Sequence, residues 1–259
     1  MGETSTRILV FLLVFVVVAA AELLAPRRPK LANWRARWRQ NLALFLLDIL
    51  AQRLTLGAIA VAAALFAEAR GIGLFHWLGL AAPIAAIAGF LLLDLAIYAQ
   101  HVLTHKVPVL WRLHQVHHAD EDVDLTTGLR FHPVEILLSS LWKAFIVLAL
   151  GIGPWTVIAF EAVLNASALY THGNWRLPEP LERRIRLLFC TPDMHRVHHS
   201  EIRAETDSNY GFFLSVWDRL FGTFRREPEK GQAGVVLGLP EARNLRLRDL
   251  LTIPFERRL

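Results

Sequence analysis

One cysteine in 259 residues is the scarcest feature of this sequence, and it excludes two chemistries. Cys190 has no partner for an intramolecular disulfide, and a single thiol cannot build a thiolate cage, so any metal here must be bound by nitrogen and oxygen. No strand-borne GxGxxG pattern is present, which removes the usual dinucleotide cradle. Acids are missing from residues 26–40, PRRPKLANWRARWRQ, which carry Arg27, Arg28, Lys30, Arg35, Arg37 and Arg39. The net charge of +5 could suggest nucleic acid, but the basic residues flank apolar runs, where the positive-inside rule accounts for them; no nucleic-acid partner is expected.

The chain is rich in apolar residues, at 54% hydrophobic, more than an ordinary soluble domain carries. An all-α protein with four or five membrane spans and a cytoplasmic, histidine-rich helical cap is expected. Residues 8–25 read as an uncleaved first span, because cleavage would export the basic segment that follows. Further spans are expected at 42–67, 83–104, 136–150 and 154–170, with an outer loop at 71–80. The stretch 136–150 is short enough to be a tilted span or half of a re-entrant hairpin. Arg183, Arg184 and Arg186 mark an amphipathic surface helix, and 209–224 reads as an interfacial helix packed over the site. Three regions follow: 1–41, an N-terminal span and basic loop; 42–224, a membrane domain; and 225–259, a peripheral charged tail.

Histidine carries the chemistry. On a helix of about 3.6 residues per turn, Asp94, Tyr98, His101 and His105 share one face. His114, His117 and His118 follow in HxxHH spacing, and His195, His198 and His199 repeat it. Neutral imidazole is the commonest protein metal ligand, and these clusters offer more ligands than one ion can use, so a two-metal centre is expected. His172 extends a second stripe formed by Glu161, Asn165 and Ala168, and is expected as a ligand. His132, which precedes Pro133, could equally cap a helix, meet substrate or bind metal. His76 reads as structural. Asp94 and Glu161 are expected either to steady the ligands from behind or to form an interhelical bond.

These motifs resemble those of the fatty acid hydroxylase and sterol desaturase superfamily, integral-membrane enzymes with histidine-bound di-iron centres. The likeness covers roughly residues 94–224: Asp94 with His101 and His105, then WRLHQVHHADEDVDLTTGLRFHPVE, HGNW, TPDMHRVHHS and the closing SNYGFFLSVWDRLFGTF. One departure is that Arg176, not histidine, lies four places after His172, so the better likeness is to sterol-desaturase-like bacterial members. The resemblance implies two irons held by His101, His105, His114, His117, His118, His172, His195, His198 and His199, with His132 a further candidate. It also implies O2 as co-substrate, hydrogen abstraction from an unactivated C–H bond of a lipid or sterol-like molecule, and residence in the bacterial inner membrane. His132-Pro133 is followed by Val134 rather than the glycines of a cytochrome b5 domain, so electrons are expected from an external donor: a ferredoxin, cytochrome b5 or reductase. Oxidation of an ether lipid is the alternative within enzymes. A metal transporter would need ligands strung through the bilayer, and a zinc-stabilised structural protein would not need so many histidines.

Overall fold

A computed structural model describes residues 3–31, 33–243 and 245–256, with side chains from residue 8 onward; the outer limits of the first and last expected regions, at 1 and 259, lie outside the described residues. All regular structure described is helical, as expected. The long helices are α1 (Glu3–Leu24), α2 (Trp34–Thr55), α3 (Ile59–Arg70), α5 (Ala82–Lys106), α7 (Pro133–Leu150) and α8 (Pro154–His172), with the single turn α4 (Leu74–Trp77) in the expected outer loop. Between and after them come α6 (Pro108–His118), α9 (Glu179–Ile185), α10 (Pro192–His198), α11 (Arg203–Thr206), α12 (Val216–Leu220), α13 (Gly231–Gly234) and α14 (Leu247–Thr252). Among the described residues, three segments are long and apolar enough to cross a membrane: Trp34–Trp77, Ala82–Lys106 and Pro133–Leu150. Ile8–Leu24 is the apolar part of α1, and in α8 the polar residues Glu161, Asn165 and Ser167 dilute the apolar content.

The expected continuous span at 42–67 is two helices. Gly57 takes a left-handed backbone (φ 54°), open to glycine without a Cβ penalty, and its N–H returns to the Gln52 carbonyl to close α2. Proline sets the other boundaries: Pro108, Pro133 and Pro154 each open a helix, and Pro108 forces the break between α5 and α6. The bundle closes on small residues. Ala60, Ala63 and Ala64 of α3 let it approach Leu93 and Ile97 of α5, Ala144 and Val147 of α7, and Val157 and Phe160 of α8. Large apolar side chains such as Leu12, Leu13, Val16, Leu46, Leu50 and Phe145 face outward, as a lipid-facing surface requires.

Three expectations need correction. The tail after Arg225 is not peripheral: Val235 and Leu237 bury against Val123, while Ala242, Leu250 and Ile253 pack on Leu44, Val116 and Ala119. Its apolar residues are interleaved with charge, which hid their common face. Only Val216–Leu220 of the expected interfacial helix is helical, because buried Asp218 accepts the N–H groups of Tyr210 (2.8 Å) and Gly211 (2.9 Å) and folds the preceding segment back as a loop. The basic segment is also not simply a membrane-flanking charge. Arg27 pairs with Asp193 at 3.0 Å, Arg28 donates to the Val235 carbonyl, and Arg37 is buried among Asp120, Asp122 and Asp124. In α9 and beyond, Arg183 and Arg184 stay exposed beside Leu187 and Leu188, but Arg186 is buried against Glu182.

Candidate metal centre

Helical periodicity divides each HxxHH motif between two clusters. Positions i+3 and i+4 flank position i on opposite sides, about 100° apart on the helix, so His117 and His118 diverge: His118 joins His114 in one cluster and His117 turns to the other. The same rule separates His195 and His199 from His198. The ring nitrogens of His101, His105, His114, His118 and His198 lie within 4.8 Å of one another, and those of His117, His172, His195 and His199 do likewise. Each cluster thus takes an i, i+4 pair from one motif and the odd residue from the other. The carriers are α5, α6, the end of α8, and α10, whose first turn is capped by Thr191 accepting from the Met194 N–H. All nine rings are buried, none more than 3% exposed.

Hydrogen bonds behind the rings settle which nitrogen faces inward. Nδ1–H of His101 donates to the Tyr210 carbonyl (2.7 Å), that of His117 to Arg130 (3.1 Å), that of His172 to Ala168 (2.6 Å) and that of His198 to Ser208 (2.7 Å). A carbonyl can only accept, so these rings carry the Nδ1 proton and present a bare Nε2 lone pair when neutral. His117 Nε2 and His172 Nε2 nevertheless face each other at 3.0 Å, and the Nε2 atoms of His105, His118 and His198 have no hydrogen-bond partner among the described residues. Burial pushes His117, His118, His195 and His199 well below the ordinary imidazole value, reinforced by neighbouring imidazoles, and takes His198 down to about 3, so extra protons do not resolve the facing lone pairs. Converging neutral imidazoles with inward lone pairs are what a divalent cation satisfies, and the donor set fits one in each cluster.

The sequence leaves some of this unread. Glu135 lies 2.6 Å from His114 Nδ1, and Asp207 lies 3.4 Å from His105 Nδ1; these are the carboxylates behind the rings. Asp94 and Glu161 touch no histidine. Asp94 instead accepts from Trp217 Nε1 (2.7 Å) and the Leu214 N–H (3.3 Å), anchoring the closing segment, while Glu161 pairs with Lys143 at 2.9 Å. The place of Glu135 as the last residue of the RFHPVE motif was the available signal. His76 lies against Gly151 at the C-terminal end of α7, apart from both clusters.

His132 is not brought to either cluster. It caps α7, its Nδ1 accepting from the Val134 N–H, while Nε2 donates to the Leu251 carbonyl at 3.3 Å. Pro133 fixes it in extended backbone at the helix entrance, which turns the ring toward the cap. His132→Ala is therefore expected to cost about 1 kcal/mol of stability and leave metal content unchanged. Metal analysis beside thermal denaturation tests both halves.

Gly128 serves the four-ring cluster through backbone contact. A Cβ there would sit 2.7 Å from the Ala168 carbonyl oxygen, the acceptor of His172 Nδ1–H. Gly128→Ala is expected to displace that carbonyl, cost about 1–3 kcal/mol and loosen metal at His172. A metal-competition titration showing unchanged affinity would refute the coupling.

The first cluster opens on a cavity of about 700 Å³ whose wall includes His101, His114, Phe131 and Phe212 and is also lined by Ile8 and Leu12 of α1. Phe131 stacks on His117, with ring centroids 4.5 Å apart, and Tyr210 sits edge-on to His101, His105 and His198.

Comparison with known proteins places this geometry. Residues 86–223 match the profile of the family described as fatty acid hydroxylase. Human alkylglycerol monooxygenase is 37% identical over 154 residues, covering 59% of this chain and 32% of that protein. The Rhizobium tropici ornithine lipid hydroxylase OlsE is 31% identical over 150 residues, 58% of this chain and 44% of its own length. Rat cholesterol 25-hydroxylase is 28% identical over 140 residues, covering 53% and 46%. The chain thus spans less than half the length of these relatives, and no solved structure matches it. With the profile covering more than half of the chain and every buried histidine of the two clusters lying inside it, the chain belongs to the fatty acid hydroxylase family.

Proposed function

We propose that this chain is an O2-dependent lipid monooxygenase of the membrane, acting as a hydroxylase or desaturase on a lipid or sterol-like substrate. The observation that carries the reading is the junction between the five-ring cluster and a cavity that extends among apolar helices. Two iron ions, one held by His101, His105, His114, His118 and His198 and one by His117, His172, His195 and His199, would supply O2 activation and hydrogen removal from an unactivated C–H bond. The chain's own side chains do the remainder. Ile97, Leu129, Phe131 and Phe212 shape an apolar throat that excludes water and steadies an alkyl chain against the rings. The carbonyls behind His101, His117, His172 and His198, with Glu135 behind His114, hold those five rings in their tautomers.

Electrons come from an external donor, a ferredoxin, cytochrome b5 or reductase. The histidine face lies on the cytoplasmic side of a bacterial inner membrane; support comes from the basic residues 26–40, which join the histidine end through Arg27–Asp193 and Arg37–Asp120. Oxidation next to an ether oxygen is a second reading, favoured by the 37% identity to an alkylglycerol monooxygenase. Purified chain is expected to hold about two irons and to consume O2 with a reductant and membrane lipid. Tight zinc alone, with no O2 uptake after iron reconstitution, would overturn the proposal.

A further inference from the structure

One wall of the cavity is polar at membrane depth, and two of its acceptors are unused. Asp48 of α2 lines the cavity, is 5% exposed, and its Oδ1 has no hydrogen-bond partner among the described residues. Glu135 of α7 lines the same cavity; His114 takes its Oε1, and its Oε2 has no hydrogen-bond partner among the described residues. The helices that carry them pack together, and the two carboxyl groups act on each other electrostatically. Several other polar groups nearby are engaged. Gln52 donates to Ser140 Oγ (2.7 Å), Ser140 to the Ile136 carbonyl (2.9 Å), and Ser139 to Gln100 Oε1 (3.3 Å). Lys143 is paired with Glu161, and Arg53 is exposed.

A buried acceptor without a donor is costly unless a ligand supplies one. Resting on the lipid-oxidising reading above, we propose that Asp48, with Glu135 beside it, is the headgroup subsite of this cavity and takes a neutral hydroxyl-bearing lipid head. A carboxylate or phosphate head would be set against two carboxyl groups. An ammonium head would have to carry its charge to membrane depth, which a hydroxyl avoids. Glu135 touches the back of His114, so a hydroxyl held there keeps the head beside the five-ring cluster. The carbon presented for oxidation is then a few bonds from the hydroxyl, and the tail runs toward Ile8, Leu12, Ile59 and Leu164.

The test uses the full-length, iron-loaded chain in nanodiscs and measures equilibrium binding of octadecyl glycerol ether against its di-O-methyl analogue, which lacks the donors. The glycerol ether is expected to bind about tenfold tighter. Asp48→Leu should erase that preference, and Asp48→Asn, whose amide oxygen still accepts, should keep part of it. Equal binding of the two probes by the wild type, or an undiminished preference in Asp48→Leu, would overturn the subsite. Octadecylamine outcompeting the glycerol ether would overturn the choice of hydroxyl. Preferential binding without O2 consumption would support the subsite while removing the oxygenase reading, so the two fail separately.

Discussion

Replacing His117 with alanine is expected to strip the four-ring cluster of its metal and lower turnover at least about 100-fold, with the fold retained. His117 is fully buried, and its Nε2 lies 3.0 Å from that of His172, so an ion held between them loses a ligand that no other side chain can replace. Alanine leaves the Arg130 carbonyl without its Nδ1–H donor and opens a void beside Phe131, a cost of about 1–3 kcal/mol that a helix end can absorb. His172→Ala should produce the same loss, and the double variant should be scarcely worse than either single one, because members of one site act as a unit. Metal content, turnover and thermal midpoint measured together separate ligand loss from unfolding. Full activity with both metals retained would remove His117 from the proposed ligand set, and an additive double variant would place the two histidines in separate sites.

The helices and the histidine convergence were legible because both rest on local periodicity. Apolar runs bounded by Pro83, Pro108, Pro133 and Pro154 mark helices whatever surrounds them, and HxxHH spacing fixes relative direction within a turn. The division of nine rings into five and four follows from the same geometry once four segments meet. What stayed hidden depends on contacts distant in sequence. Asp94 finds its partner 123 residues away in Trp217, so spacing within its own helix gave no sign that it anchors the closing segment rather than a ligand. Asp218 sits in an apolar run that reads as helix, yet its carboxylate takes two backbone N–H groups from upstream and imposes a loop; local propensity lost to a buried acceptor. The charged tail misled in the opposite direction, since Leu250 is fully buried while Arg248, two places before it, is exposed.

Arg37→Met is the second change with a large expected effect, about 3–5 kcal/mol of destabilisation and a fall in thermal midpoint of about 10 °C. As a membrane-flanking charge, Arg37 would be replaceable by lysine at no cost. Its surroundings say otherwise. The guanidinium is buried 2.5 Å from Asp120 and 3.2 Å from Asp124, and it also donates to the Asp122 carbonyl. Burial alone would raise the Asp120 carboxyl, but Arg37, aided by Arg130, overrides this and holds it below the usual carboxylate range. Methionine matches the stem and removes only the fork, leaving buried carboxylates facing one another. The damage would travel, because this loop runs directly on from His118 and returns through Arg130, whose carbonyl orients His117. Weaker metal retention should therefore accompany the lower midpoint. Arg37→Lys should recover only part of either, since one ammonium cannot span the same acceptors. Adding Asp120→Asn to Arg37→Met should recover more stability than lysine does, by deleting the orphaned charge. A lysine variant indistinguishable from wild type in midpoint and metal content would return Arg37 to a purely topological role.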